Sequence, residues 1–413
     1  MTNPVLALIP SGYRTNIVYS VLPVNGDGDF TFSRTGDGTR IKENGLIETI
    51  SGNNNPRLNW VGECPSLLLE GTSTNLQIRS EEFDNASWLK TNITVTANDT
   101  ISPDGTESAD KLQRTSTAAS NIHNETYIGY GAKTYTSSIF VKKGEGNFLA
   151  IRVKGSSSWV DLRFNFSTKQ IISYITNGSY IAIGSKVEEF NNGWFRIYFT
   201  YTTDGYDKLT QYYSPRFTEG NIDDADTNNI ANCFIWGSQV EHQLYGSSYI
   251  KTEASTVSRA LDICKNGGDA ELFDIKEGTF FVDVTPFKVG SNHRITLSNG
   301  TSDEEIIFYF LANNTGIAVV SEHNGLAQFT HNENITFDTR NKIALTFKNN
   351  EFKCYVNGNL VSTSLTGTIS ENLSDLTFAG YTGTFNYFEG KVHDTRVYNR
   401  ILTETEAKEL TTI

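Results

Sequence analysis

The chain has 413 residues, a formal charge of −13 and charged side chains at only 20% of its positions. That length holds two or three hydrophobic cores, each large enough to fold without covalent staples; dispersed lysines and arginines on an acidic background give no source for the phosphate neutralisation behind nucleic-acid binding. Four scattered cysteines with no C-x-x-C pair argue against a zinc site or an oxidative framework and read as buried thiols, and neither an export signal nor an apolar run of roughly 18 residues for a membrane span is found.

Residues 1 to about 75 are crowded with turn formers, among them Asn25-Gly-Asp-Gly-Asp29, Thr35-Gly-Asp-Gly38 and Ser51-Gly-Asn-Asn-Asn-Pro56. The apolar pieces between them, such as Val18-Tyr-Ser-Val-Leu22 and Leu67-Leu-Leu69, are too short for an independent core. This segment is therefore expected to pack on neighbouring subunits or on the next domain, and to serve attachment or oligomerisation.

From 76 to about 262 strands alternate with Gly/Asn/Ser/Asp turns. Ser137 to Lys142, Phe148 to Lys154, Trp159 to Phe166, Trp194 to Tyr201 and Cys233 to Glu241 combine period-two alternation with β-branched and aromatic residues. No long 3.6-residue pattern interrupts them, so the spacing predicts an antiparallel sandwich or jelly roll.

After the turn-rich Lys265-Asn-Gly-Gly-Asp269, residues 270–413 repeat that grammar in strands at Thr279 to Val284, Glu305 to Phe310, Lys342 to Lys348 and Phe352 to Val356. Asn349-Asn350 and Asn357-Gly358 supply the positive-φ positions of tight hairpins and predict a meander. Near the end, Thr403 followed by Glu406 forms a capping box, so one short helix closes a chain that is otherwise all-β: an N-terminal attachment segment and two antiparallel β-sandwiches.

The closing phrase, with Gly390, Val392, Arg396, Tyr398, Asn399, Arg400, Leu402, Glu406 and Leu410 in place, resembles the end of laminin-G-like, concanavalin A-like sandwiches. The tract from Asp29 to Arg40, then Pro56-Arg57, Pro65 to Leu76 and Phe83 to Trp88, resembles one common in structural proteins of tailed bacteriophages, where it precedes a carbohydrate-binding-module-like jelly roll. Phrases of that jelly roll are similar to Ser102 to Thr106, Gly193 to Arg196, Trp236 to Glu241 and Ser258 to Asp262. The resemblance implies a non-enzymatic virion protein, a head-fibre, capsid-decoration or tail-fibre component, assembled in the host cytoplasm. It implies a homo-oligomer, by analogy a homotrimer, that meets other virion proteins through its N-terminal segment and adheres to host surface polysaccharide. A secreted or cell-surface glycan-binding protein is the alternative, and a polysaccharide depolymerase the third reading.

Glycans ask for aromatic platforms flanked by polar groups. Trp194 and Trp236 lie inside strong strand patterns and read as core, which leaves Trp159, at a loop edge, and Tyr381, Phe385 and Tyr387, in a Gly/Thr/Asn-rich stretch, as the glycan-binding candidates. Packing against neighbouring loops is the simpler role for all four. Asp223, Asp224 and Asp226 cluster oxygen ligands in a spacing that is not an EF-hand; a structural calcium is the secondary expectation there, and solvated acidic turns the simpler one. No catalytic residue is assigned: paired carboxylates on alternate strand positions are missing, and the six histidines, among them His123, His293 and His393, stand isolated in the sequence.

Overall fold

The computed structural model describes residues 3–413 and is built almost wholly of antiparallel strands. It divides into two compact units. Unit 1 takes the chain up to Glu43, then Thr49–Thr72 and Ala260–Ile413; unit 2 takes Asn44–Glu48 and Ser73–Arg259.

Unit 2 is a sandwich of two six-stranded sheets. The first runs, in spatial order, Leu89–Thr91, Asn121–Tyr127, Lys208–Arg216, Phe148–Lys154, Trp159–Asn165 and Gln170–Asn177. The second runs Ile93–Ile101, Glu107–Arg114, Asn232–Glu241, Thr134–Lys143, Trp194–Thr202 and Ile181–Phe190. Alternation sends Ile151, Val153, Leu162 and Phe164 of the first sheet and Val141, Ile197, Phe199 and Ile235 of the second into one shared core. Trp194 and Trp236, read as core, are buried with Phe140 and Tyr249 in a second apolar cluster, and their indole N–H groups donate to the Ile101 carbonyl and to Ser108 Oγ at 3.0 and 3.1 Å.

Unit 1 packs an eight-stranded sheet against a five-stranded one. The larger holds the expected meander, Asn341–Lys348, Glu351–Val356 and Asn359–Ser364, with Asn350 and Asn357 at φ 62° and 49° in its turns. It continues through Glu277–Pro286 to Gly390–Tyr398. Beyond that strand the N-terminal region enters and packs on the C-terminal segment: Leu6–Leu8 and Cys64–Leu69 both pair with Gly390–Tyr398, and Leu58–Val61 pairs with Cys64–Leu69. Leu6, Leu8, Phe30, Phe32, Leu67 and Leu69 are buried in the same core as Phe280, Phe308 and Leu345. The short apolar pieces thus find their missing surface 200 residues or more downstream in the chain, in the part of unit 1 that begins at Ala260.

A buried ion network ties these remote stretches of unit 1 together. Arg34 donates to Asp262 at 3.0 Å, Arg57 donates to Glu70 at 2.7 Å and also to Asp262, and the Glu70 amide donates to Asp262 at 2.9 Å. Charges this deep persist only when paired, and losing one partner strands the others. The expected helix is Glu404–Thr411, with the Thr403/Glu406 box formed and Arg400 bidentate on Glu406 at 2.7 and 2.9 Å. Cys233, Cys264 and Cys354 are buried free thiols, whereas Cys64 is exposed, contrary to expectation, because it begins the strand Cys64–Leu69 just after a surface turn. No helix among the described residues is long and apolar enough to cross a membrane.

Candidate functional site

On the first sheet of unit 2 the residues that alternate with the core-facing set turn to the opposite face. Register places His123 opposite Tyr212, Tyr212 opposite Arg152 and Arg152 opposite Asp161, so four strands contribute one continuous row. His123 and Tyr212 are stacked, ring centroids 4.7 Å apart and planes 27° from parallel. Arg152 Nε and Nη2 donate to the two oxygens of Asp161 at 2.6 and 2.8 Å, and Nη1 donates to Asp223 at 2.6 Å. Its guanidinium carbon stands 5.0 Å from the centre of the Trp159 ring.

The electrostatics follow from this packing. Burial by itself would lower the Arg152 pKa, but the hydrogen bonds it donates to Asp161 and Asp223 outweigh it and raise it, so the cation is permanent. Burial lowers the pKa of His123, favouring the neutral ring, and raises that of Tyr212. Both carboxylates near the arginine are engaged by it. Trp159, Tyr212 and His123 are half-buried, each presenting part of its ring surface outward. Flat apolar rings beside a fixed cation and a polar fringe suit a ligand with C–H faces and hydroxyl edges.

Of the other expected site residues, Tyr381, Phe385 and Tyr387 belong to unit 1. Tyr381 and Phe385 meet edge to face at 5.2 Å, and the guanidinium of Arg294 lies 4.5 Å from the Phe385 ring centre and 5.6 Å from those of Tyr381 and Tyr309. Arg294 is buried, and its Nη1 is 3.8 Å from the likewise buried carboxylate of Glu305. Two of the three aromatic candidates thus lie over an arginine and are half-buried, as Trp159 is. Tyr387 is half-buried beside them in sequence.

The calcium candidates are not brought together. The loop is organised by Arg216, which donates to the carbonyls of Thr218, Asn221, Asp224 and Ala225 at 3.2, 2.9, 2.8 and 2.7 Å and so does the work of a structural cation. Asp223 is turned to Arg152, and Asp224 accepts the Asn221 amide at 2.7 Å. Burial pushes the Asp226 carboxyl up, but bonds from Thr218, Phe217 and Thr227 prevail and hold it below the usual range. Among the described residues no group of three or more His, Cys, Asp or Glu converges as metal ligands would.

His123, Arg152, Asp161 and Tyr212 escaped the sequence reading. Their signal was a polar or charged residue at alternate positions of apolar strands, as in Phe148-Leu-Ala-Ile-Arg-Val-Lys154, but only pairing register sets them side by side. A second set also escaped: Tyr127, at the end of the strand Asn121–Tyr127, and Tyr130 and Tyr206, on two loops of unit 2, are 65%, 73% and 40% exposed, and the loops are joined by Ile128 N–H to Asp207 O at 2.8 Å and Gly131 N–H to Gly205 O at 3.1 Å.

Residues 267–408 match the family model described as the concanavalin A-like lectin/glucanases superfamily. No curated protein matches the chain at a significant level. Among solved structures, the CBM40 of a Ruminococcus gnavus IT-sialidase bound to α2,3-sialyllactose is 18% identical, with a TM-score of 0.31 over 35% of this chain and 86% of that one. Domain 4 of AbnA, a GH43 extracellular arabinanase from Geobacillus stearothermophilus, in complex with arabinotriose, is 13% identical, with a TM-score of 0.31 over 41% and 82%. A SAP-like pentraxin of Limulus polyphemus is 14% identical, with a TM-score of 0.27 over 32% and 69%.

Proposed function

We propose that the chain is a non-enzymatic structural protein of a tailed-phage virion, a fibre or decoration component, that holds host surface polysaccharide on the outward face of the first sheet of unit 2. The observation that carries the glycan part is the row His123, Tyr212, Arg152, Asp161 with Trp159 beside it: half-buried rings around a guanidinium fixed by two carboxylates. A platform already held in place binds without ordering its own side chains, which lowers the entropic cost of association. The match of residues 267–408 to a lectin and glucanase superfamily supports a carbohydrate ligand for the chain; it lies in unit 1 and does not bear on the choice of the unit 2 face. The virion assignment rests on the resemblance of the Asp29 to Trp88 tract to phage structural proteins, and with it come assembly in the host cytoplasm and association of several copies, by analogy a trimer. Attachment to other virion proteins falls to the outer surface of unit 1, since the N-terminal strands are built into that unit.

Immunogold labelling of intact particles together with a glycan array of the purified protein tests this reading. Particle-bound gold and a polysaccharide hit are expected; binding without particle association favours a secreted or cell-surface lectin, and release of reducing ends from the bound polysaccharide favours a depolymerase.

A further inference from the structure

In unit 2 a short turn at Gly178 carries the chain from Gln170–Asn177, the last strand of the first sheet, to Ile181–Phe190, the last strand of the second. Each strand is paired on one side only, so two open edges lie together at one flank of the sandwich. Between Lys169 and Lys186 no side chain is charged. Along that stretch Ile172, Tyr174, Ile175, Ile181 and Ile183 are 37%, 41%, 40%, 60% and 52% exposed. Two of these are bulge residues: register passes over Ile172 between Ile171 and Ser173, and over Ile183 between Ala182 and Gly184. A bulge re-aims the side chain it carries, and here both carry isoleucine.

The opposite edge of the first sheet is guarded in the usual way, ending in a three-residue strand, Leu89–Thr91, that bears Lys90. Short, charged edges resist pairing with another chain, while long, uncharged ones such as Gln170–Asn177 invite it. In the second sheet both edge strands, Ile93–Ile101 and Ile181–Phe190, carry a break in register, and the charges of the latter all lie beyond Ser185.

We infer that the hairpin Gln170–Phe190 is the surface on which copies of this chain meet, hairpin against hairpin. The charge distribution selects the occupant: two molecules each carrying −13 repel over most of their surfaces, and along this stretch neither like-charge repulsion nor charge desolvation opposes approach. At its base Lys169 pairs with Glu189 at 2.7 Å and Lys186 with Glu188 at 2.6 Å, a rim neutral within each copy around an apolar centre. The inference rests on the oligomeric part of the reading above and is independent of the glycan.

The test is the double substitution Ile181→Lys and Ile183→Lys in the full chain, with mass measured by sedimentation from about 1 to about 100 µM, a range that spans ordinary subunit association. Wild type is expected at a multiple of 45.9 kDa and the variant at 45.9 kDa, with unchanged circular dichroism. Ile181→Thr with Ile183→Thr keeps β-branched side chains and carries the test should the lysine pair disturb folding; it is expected to raise the association midpoint about tenfold or more. A wild type that remains at 45.9 kDa overturns the oligomeric reading and this surface together. An assembled wild type whose folded variants assemble equally well overturns the surface alone.

Discussion

In unit 2 the guanidinium of Arg152 donates to Asp161 twice and to Asp223 once; in unit 1 that of Arg294 stops 3.8 Å short of Glu305, leaving Arg294 Nε and Glu305 Oε2 without hydrogen-bond partners. Both arginines sit on a sheet among half-buried aromatic rings, and both make cation–π contact, Arg152 with Trp159 and Arg294 with Phe385, Tyr381 and Tyr309. What differs is the ion pairing: the Arg152 cation is fully partnered, whereas at Arg294 cation–π contact stands in for part of the missing hydrogen bonding.

The largest expected effect separates the two arginines. Arg152→Ala strands the buried Asp161 and is expected to cost unit 2 about 3–5 kcal/mol, seen as a lower thermal midpoint. Arg294→Met should cost unit 1 no more than about half as much near pH 6, because there Glu305, pushed by burial up to about 7, already carries a proton and leaves no stranded charge. Equal losses would remove the distinction drawn between them.

A smaller effect follows from pH. Burial pushes the Glu305 carboxyl up to about 7, with Arg294 pulling it down and Glu322 pushing it further up. A folded-state pKa raised above the unfolded one contributes stability that is present in full below the unfolded value and is lost as pH rises through about 7. Over that window the loss amounts to roughly 3 kcal/mol. Asp375, raised by burial to about 6, acts in the same sense; His293 and His393, lowered by burial to about 3 and about 4, remove stability as pH falls below their ordinary range. Glu305→Gln should therefore melt above wild type at pH 8 and lose that advantage at pH 5. A gap independent of pH would show that Glu305 is not the group responsible.

What the sequence disclosed followed period and local chemistry. Strands such as Trp194 to Tyr201 declare themselves by alternation, and Thr403 with Glu406 declares the helix by reciprocal capping over three residues. Arg34, Arg57, Glu70 and Asp262 lay inside the motif phrases, but nothing local says that they meet in one ion network. The same limit applies to the sheet face, where Arg152 and Asp161 are nine positions apart and Tyr212 sixty, joined only by register. Proximity in sequence does not orient carboxylates: at Asp223, Asp224 and Asp226 backbone amides and two arginines engage the loop.

Calorimetric titration with the polysaccharide that the array identifies tests the central claim most directly, using wild type, Trp159→Ala with Tyr212→Ala, and Tyr381→Ala with Phe385→Ala. Each stacking ring is worth on the order of 1 kcal/mol, so the first pair should weaken binding about tenfold or more while the second leaves affinity unchanged and lowers the melting of unit 1. Undiminished binding by the first pair, with loss confined to the second, would contradict the account and move the site to unit 1.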